Sequence, residues 1–293
     1  MQHWALKTPL PSEVDPNGFI TWDTLQKQNA ESSNAIIDYL DADAIFLSVA
    51  KAQEEAILKR DAEDANKLSK GIQQSIERGS LAANPDVDPY NVIDVLGKTP
   101  DMVTQTIIDT VGEAANTGAV VVLCGLSGTG KGTTVEKLST QLPNTVTWSN
   151  GNIFRSVTLL AATWCEQAEL AAFDAAAALT PDNLKSFMGM LSFDADAMDI
   201  KISGLGLEYM VNDIKNTELK GPKVSANIPT VAQEIQGEVV AFAAGAIEHM
   251  RAAGKNVLLE VTPPCTEAHS ALIQHYTAAF CSSLRIRLVL CCM

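Results

Sequence analysis

The sequence predicts an α/β fold: a parallel sheet flanked by helices, incomplete at the C-terminus, preceded by a mostly helical extension. Three observations predict it. The apolar run Ala119-Val120-Val121-Val122-Leu123-Cys124 is followed by a glycine-rich turn and then by the helix-compatible Thr134-Val135-Glu136-Lys137-Leu138. From residue 118 onward strand-like and helix-like segments alternate, the order that gives parallel strands with crossover helices on both faces. Upstream, the pattern over Ser33 to Arg78 has helical spacing. The expected division is an acidic, mostly helical extension over 1–117 and an α/β domain over 118–293. Within the latter, a β-hairpin insert is expected at about 194–225.

Each element follows from local signals. Residues 1–32 are polar and punctuated by Pro and Asn, and read as a loose leader. Leu68, Ile72 and Ile76, four apart, share one face of the helix that follows. A Gly/Pro/Asn/Asp cluster from Gly79 to Pro89 breaks that helix. Thr99-Pro100-Asp101 is an N-cap with proline at the first helical position, and it opens a helix whose apolar face is Val103, Ile107, Ile108 and Val111. Asp86-Val87-Asp88 lacks the glycine and closing glutamate of a calcium loop and reads as surface acids. After the glycine-rich turn, Thr145-Val146-Thr147-Trp148 is a short strand, and Ser149-Asn150-Gly151 opens a helix through about Gln167. An alanine-rich helical stretch follows to Leu179. Residues 199–211 alternate as two strands around a glycine-containing turn. One long helix is expected from Ile228 to Ala253, then a buried strand over Asn256–Glu260 and a last strand over Leu284–Leu290.

Composition narrows the classes of function. Residues 1–117 carry 19 acids against 9 bases, and 118–293 carry 16 against 12. That balance argues against nonspecific nucleic-acid binding, which runs on Lys and Arg contacts to phosphate. It remains compatible with a basic pocket for a small phosphorylated ligand. No run of eighteen apolar residues implies a membrane span, and Met1 to Gly18 lacks the pattern of a secretory signal. Six cysteines lie without metal-ligand spacing, so reduced thiols and a cytoplasmic location are expected.

The chemistry concentrates in Gly125-Leu126-Ser127-Gly128-Thr129-Gly130-Lys131-Gly132-Thr133. A buried strand, a glycine-rich turn and a helix start are what a phosphate-binding loop requires. Its glycines allow backbone conformations that turn successive N–H groups toward a phosphate. Lys131 then reaches the outer phosphates as a point charge. Gly132 stands where the general pattern has the magnesium-ligating Ser or Thr, and Thr133 follows it.

Gly-x-x-Gly-x-Gly-Lys-Gly-Thr resembles the nucleoside monophosphate kinases, P-loop enzymes, and Ser127 at the third position is most similar to the cytidylate kinases. Ser149-Asn150-Gly151-Asn152-Ile153-Phe154-Arg155 resembles that family's Asp-Ser-Gly-x-x-Tyr-Arg segment. The strands at 199–214 resemble the small insert of the bacterial-type enzymes, and Val224 to Gln233 resembles the segment returning from it. The resemblance runs from about residue 118 to Glu260. It implies a phosphotransferase taking ATP, with Mg2+, as donor and CMP or dCMP as acceptor. By the same resemblance the loop backbone and Lys131 hold the donor phosphates, and Thr133 assists at phosphate or magnesium. Arg155 would grip the acceptor phosphate beside Asn150 and Gly151, with Lys220 adding charge; a solvated surface lysine is an equal reading of Lys220.

After Glu260 the pattern departs. Where the family carries Gly-Arg-Asp, this chain has Val261, Thr262 and Pro263. Beyond residue 133 its arginines are Arg155, Arg251, Arg285 and Arg287. The residues from 261 to 293 hold four of the six cysteines and a single acid, Glu267, a compositional break that suggests an altered reading frame, an alternative exon or a truncated gene product. Two other readings stay open. One is a nucleotide-binding protein without turnover, acting through a partner that docks on residues 33–117. The other is a P-loop switch, for which Glu260 is the candidate metal-binding acid.

Overall fold

The computed structural model describes residues 21–27, 30–40, 42–79, 81–83, 91–95, 97–125, 130–261 and 285–291. The chain divides into two compact units, Met1–Arg60 and Asp61–Met293. Their boundary falls inside one helix, well upstream of residue 117, because much of the 61–117 segment joins the core of the second unit.

In the first unit the described elements are α1 (Trp22–Gln26), α2 (Ala30–Leu40) and the first half of α3 (Ala44–Glu77). Thr21 caps α1, its Oγ1 accepting the Thr24 N–H at 3.0 Å, so part of the expected loose leader is helical. Ile45, Leu47, Val49 and Leu58 on α3 are exposed, Ile45 to 72%.

The second unit continues with β1 (Asn91–Asp94), α4 (Pro100–Val111), β2 (Val120–Gly125), α5 (Lys131–Gln141), β3 (Thr145–Trp148) and α6 (Asn150–Gln167). Next come α7 (Ala175–Ala178), α8 (Pro181–Gly189), β4 (Leu191–Asp194), β5 (Asp199–Gly204), β6 (Leu207–Met210), α9 (Val211–Ile214) and α10 (Pro222–Ser225). The described chain closes with α11 (Ile228–Glu234), α12 (Gln236–Ala252), β7 (Asn256–Val261) and β8 (Arg285–Cys291). Five strands form a parallel sheet in the order β1-β8-β2-β7-β3. The outer place beside β8 is taken by β1, an unexpected strand contributed from before the glycine-rich loop.

Strand β2 shows how the sheet is buried. Successive side chains of a strand point to opposite faces. Accordingly Val120, Val122 and Cys124 enter one core, with Val157, Val239 and Ile247. Val121 and Leu123 enter the other, with Ile107, Val111 and Leu138. Strand β7 divides the same way, Val257 and Leu259 to the first core and Leu258 to the second. Burial on both faces explains why these strands read as unbroken apolar runs rather than alternations.

Helix α4 matches its sequence signals. Thr99 Oγ1 accepts the Met102 N–H, Pro100 occupies the first turn, and Val103, Ile107 and Val111 are buried. Helix α6 ends at Gln167, where it is expected to, but the alanine-rich stretch after it is helical only over α7, under the Asp174 cap, with Glu169 at φ +57 between them. The long helix breaks at Ile235 (φ −121, ψ 22), giving α11 and α12. The insert is an antiparallel sheet of three strands, β4-β5-β6. Leu205 and Gly206 both take positive φ in its tight turn, the backbone of a type I′ hairpin. Leu68's side chain and the acids of 86–88 lie outside the described residues.

Candidate functional site

The glycine-rich segment joins the end of β2 to the start of α5. Leu126, Ser127, Gly128 and Thr129 lie outside the described residues. Gly125 closes β2, paired with Leu290 of β8. Gly130 precedes α5 with φ +81, a left-handed conformation natural to glycine, and no side chain caps the helix. Thr134 donates its hydroxyl to the Gly130 carbonyl at 2.9 Å. Lys131, the first residue of α5, is buried to 5% exposure, whereas Gly132 and Thr133 are exposed. The first turn of α5 contains no acid of its own to offset the helix's N-terminal partial charge.

Parallel strands deliver two helix starts to one edge of the sheet. Strands β2 and β3 both flank β7 and run parallel to it, so α5 and α6 begin at the same end. Two inter-strand spacings set them about 10 Å apart. Glu260 lies between them, near the end of β7, opposite Leu123 of β2 and exposed.

At the start of α6, Trp148 donates its indole N–H to Asn150 Oδ1 at 2.8 Å. The Asn150 amide oxygen is thereby engaged in fixing the strand-to-helix turn. Arg155 folds back over this turn. A Cβ on Gly151 would stand 2.8 Å from Arg155 Nη1, so the glycine makes room for the guanidinium. Nη1 also donates to Asn152 Oδ1 at 3.5 Å. Gly151 and Arg155 are thus neighbours on one helix face.

A cleft of about 320 Å3 runs along the edge strand β3. One wall is Thr145 to Ser149 and Asn152; the other is the β4–β5 turn from Ala197 through Asp199, with Asn212 of α9. Asp199 is buried and fixes that second wall, accepting the Ile200 N–H at 2.7 Å and the Asn212 N–H at 2.8 Å. Lys220 is not among the lining residues. Its ammonium bonds Asn216 at 2.9 Å on a 3-10 turn. Lys215, which sequence reasoning passed over, donates instead to Asn212 Oδ1 at 2.8 Å, on the cleft wall. Asn152 and Asn212, on opposite walls of the cleft, accept from Arg155 and Lys215, though neither cation lines the cleft itself. No carboxylate partner is found for either among the described residues. The signal that could have found Lys215 is its place just after the inserted strands.

The remaining arginines stand elsewhere. Arg251 is bound by Glu248 at 2.6 and 3.0 Å. That hydrogen bond holds the Glu248 carboxyl below its ordinary range and raises the guanidinium. The pair sits by Gly118, at the far end of the sheet from the loop. Arg285 and Arg287 pair with Val120 and Val122, which sets their backbone about 10 to 17 Å short of Gly125 along the strand.

Among the described residues no group of three or more His, Cys, Asp or Glu could hold a metal ion, and no helix is long and apolar enough to cross a membrane. No family model matches the sequence, and no curated protein matches it either.

Proposed function

We propose that the chain is a P-loop nucleoside monophosphate kinase of cytidylate type, moving the γ-phosphoryl group of ATP to CMP or dCMP. One observation carries this reading. Two helix N-termini, each with its own cation, stand at one sheet edge on either side of β7: Lys131 on α5 and Arg155 on α6. Joining two phosphorylated molecules in one cleft needs positive charge on both sides of the reacting group. The α5 start would take the donor phosphates on its N–H groups and Lys131. The acceptor phosphate would meet Arg155, whose fork suits phosphate oxygens, with Lys215 opposite. An acceptor oxygen then attacks the γ-phosphorus, the bond to the β–γ bridging oxygen breaks, and ADP leaves as the diphosphate product forms. Magnesium takes most of its ligands from phosphates and water with one or two carboxylates; it would arrive with ATP, and Thr133 and Glu260 are the residues within the same end of the sheet to assist it.

Turnover should be slow. Val261-Thr262-Pro263 supplies no arginine or aspartate, and losing one charge-stabilising donor costs on the order of a hundredfold in rate. A second reading, nucleotide binding without turnover, is favoured by the exposed apolar side chains of Ile45, Leu47, Val49 and Leu58. They offer the first unit a surface for a protein partner.

Calorimetry with ATP and with CMP, joined to an ADP-release assay, tests both readings. Lys131→Ala is expected to weaken ATP binding with circular dichroism unchanged, and Arg155→Ala to weaken CMP binding far more than ATP binding. Slow CMP-dependent ADP release supports the kinase; CMP binding with no release supports the second reading. Equal ATP affinity in wild type and Lys131→Ala overturns both.

A further inference from the structure

The end of α3 grips the break between α11 and α12. That break leaves α12 without a side-chain cap of its own. The cap comes from α3. Ser75, 2% exposed, accepts the Gly237 N–H at 3.0 Å, in the first turn of α12, while donating its hydroxyl to the Gly71 carbonyl at 2.8 Å. Just past the end of α3, Arg78 donates to the Glu234 carbonyl at 3.0 Å and to Glu234 Oε2 at 3.2 Å, at the last residue of α11. On the other side Gly71 permits close approach. A Cβ there would stand 2.7 Å from the Gln233 carbonyl oxygen and 2.6 Å from Gln236 Cγ. Residues 71, 75 and 78, spaced four and three apart, share one helix face, and they hold the end of α11, the break, and the start of α12.

What is held matters to the site. Val231 of α11, Ile235 at the break and Val239 of α12 share a core with Ile153 and Val157 of α6, the helix that carries Arg155. From this geometry we infer that Ser75 is a positioning residue. It fixes the α11–α12 break, and through the core contacts with α6 it sets where Arg155 meets the acceptor phosphate. The functional half of this inference rests on the function proposed above; the clamp itself does not.

The test uses the full chain with Ser75→Ala, Ser75→Thr and Arg78→Ala. The first removes the cap. Threonine keeps a hydroxyl able to bond the carbonyl four residues back. Arg78 is exposed, so its truncation leaves folding intact. Amide hydrogen exchange at 237–239 is expected to rise about tenfold in Ser75→Ala and to return toward wild type in Ser75→Thr. CMP affinity is expected to fall severalfold in Ser75→Ala and Arg78→Ala, with ATP affinity unchanged. Unaltered exchange at 237–239 in Ser75→Ala overturns the clamp. Faster exchange with CMP and ATP affinities moving together, or with neither moving, overturns the positioning role. A wild-type chain that binds no CMP overturns the proposed function instead, and exchange alone then decides the clamp.

Discussion

Asn256→Ala is expected to be among the most damaging single substitutions in the second unit. Asn256 opens β7 with its side chain wholly buried. Its Oδ1 accepts the Ala119 N–H at 2.8 Å, and its Nδ2 donates to the carbonyls of Ala115 at 2.9 Å and Pro143 at 2.7 Å. One amide therefore ties together the approaches to β2, β3 and β7. Truncation removes three hydrogen bonds worth about 1 kcal/mol each; the Pro143 carbonyl keeps the Thr145 hydroxyl at 3.4 Å, while the Ala119 N–H and the Ala115 carbonyl lose their side-chain partner. A loss of about 3 to 5 kcal/mol follows, a large share of the roughly 5 to 15 kcal/mol that holds a domain folded. Urea unfolding followed by fluorescence measures it: with a slope of about 3 kcal/mol/M, the midpoint should fall by about 1 to 1.7 M at unchanged slope. Asn256→Asp keeps the acceptor for Ala119 but turns an oxygen toward two carbonyls, so it should do no better. A loss below about 1 kcal/mol in Asn256→Ala, or near-native stability in Asn256→Asp, would refute the accounting.

Gly118→Ala is expected to cost about 2 kcal/mol, because φ is +95 and the new Cβ would sit 3.0 Å from the Arg251 carbonyl oxygen and 3.1 Å from that of Lys255; an unshifted melting temperature would contradict this. Gln74→Met should raise stability by about 1 kcal/mol, since Gln74 Oε1 is a buried acceptor without a partner among the described residues. Destabilisation by that change, read in the same melts, would mean the amide is needed.

The sheet was legible wherever a strand is buried on both faces. Val120 to Cys124 and Val257 to Leu259 contact two cores at once, and a continuous apolar run is the trace that leaves. Strand β1 gave no such trace. It is four residues long with only Ile93 buried, and its partner β8 lies far off in sequence, so nothing local announces it. Helix α8 was legible and passed over: Thr180-Pro181-Asp182 repeats the cap seen at Thr99-Pro100-Asp101. The break at Ile235 could not be read locally, because the cap that stabilises α12 comes from Ser75, distant in sequence. At the start of α6, spacing places Gly151 and Arg155 on one helix face. It could not single out Lys215, since only the fold of the insert brings that lysine to Asn212 of the cleft wall.

Placing β1 beside β8 has a consequence for how the protein is made. Asn91 pairs with Leu288 and Val120 with Arg285, contacts on the order of two hundred and one hundred and seventy positions apart. A ribosome therefore releases β1 and β2 long before the strand that fits between them. Until β8 emerges, β1 has no neighbour and one edge of β2 stands open. Pairings so distant in sequence form slowly, and unpaired strand edges recruit other chains. The apolar strand Val120–Gly125, the scaffold of the glycine-rich loop, is thus the segment most in need of chaperone cover while translation continues.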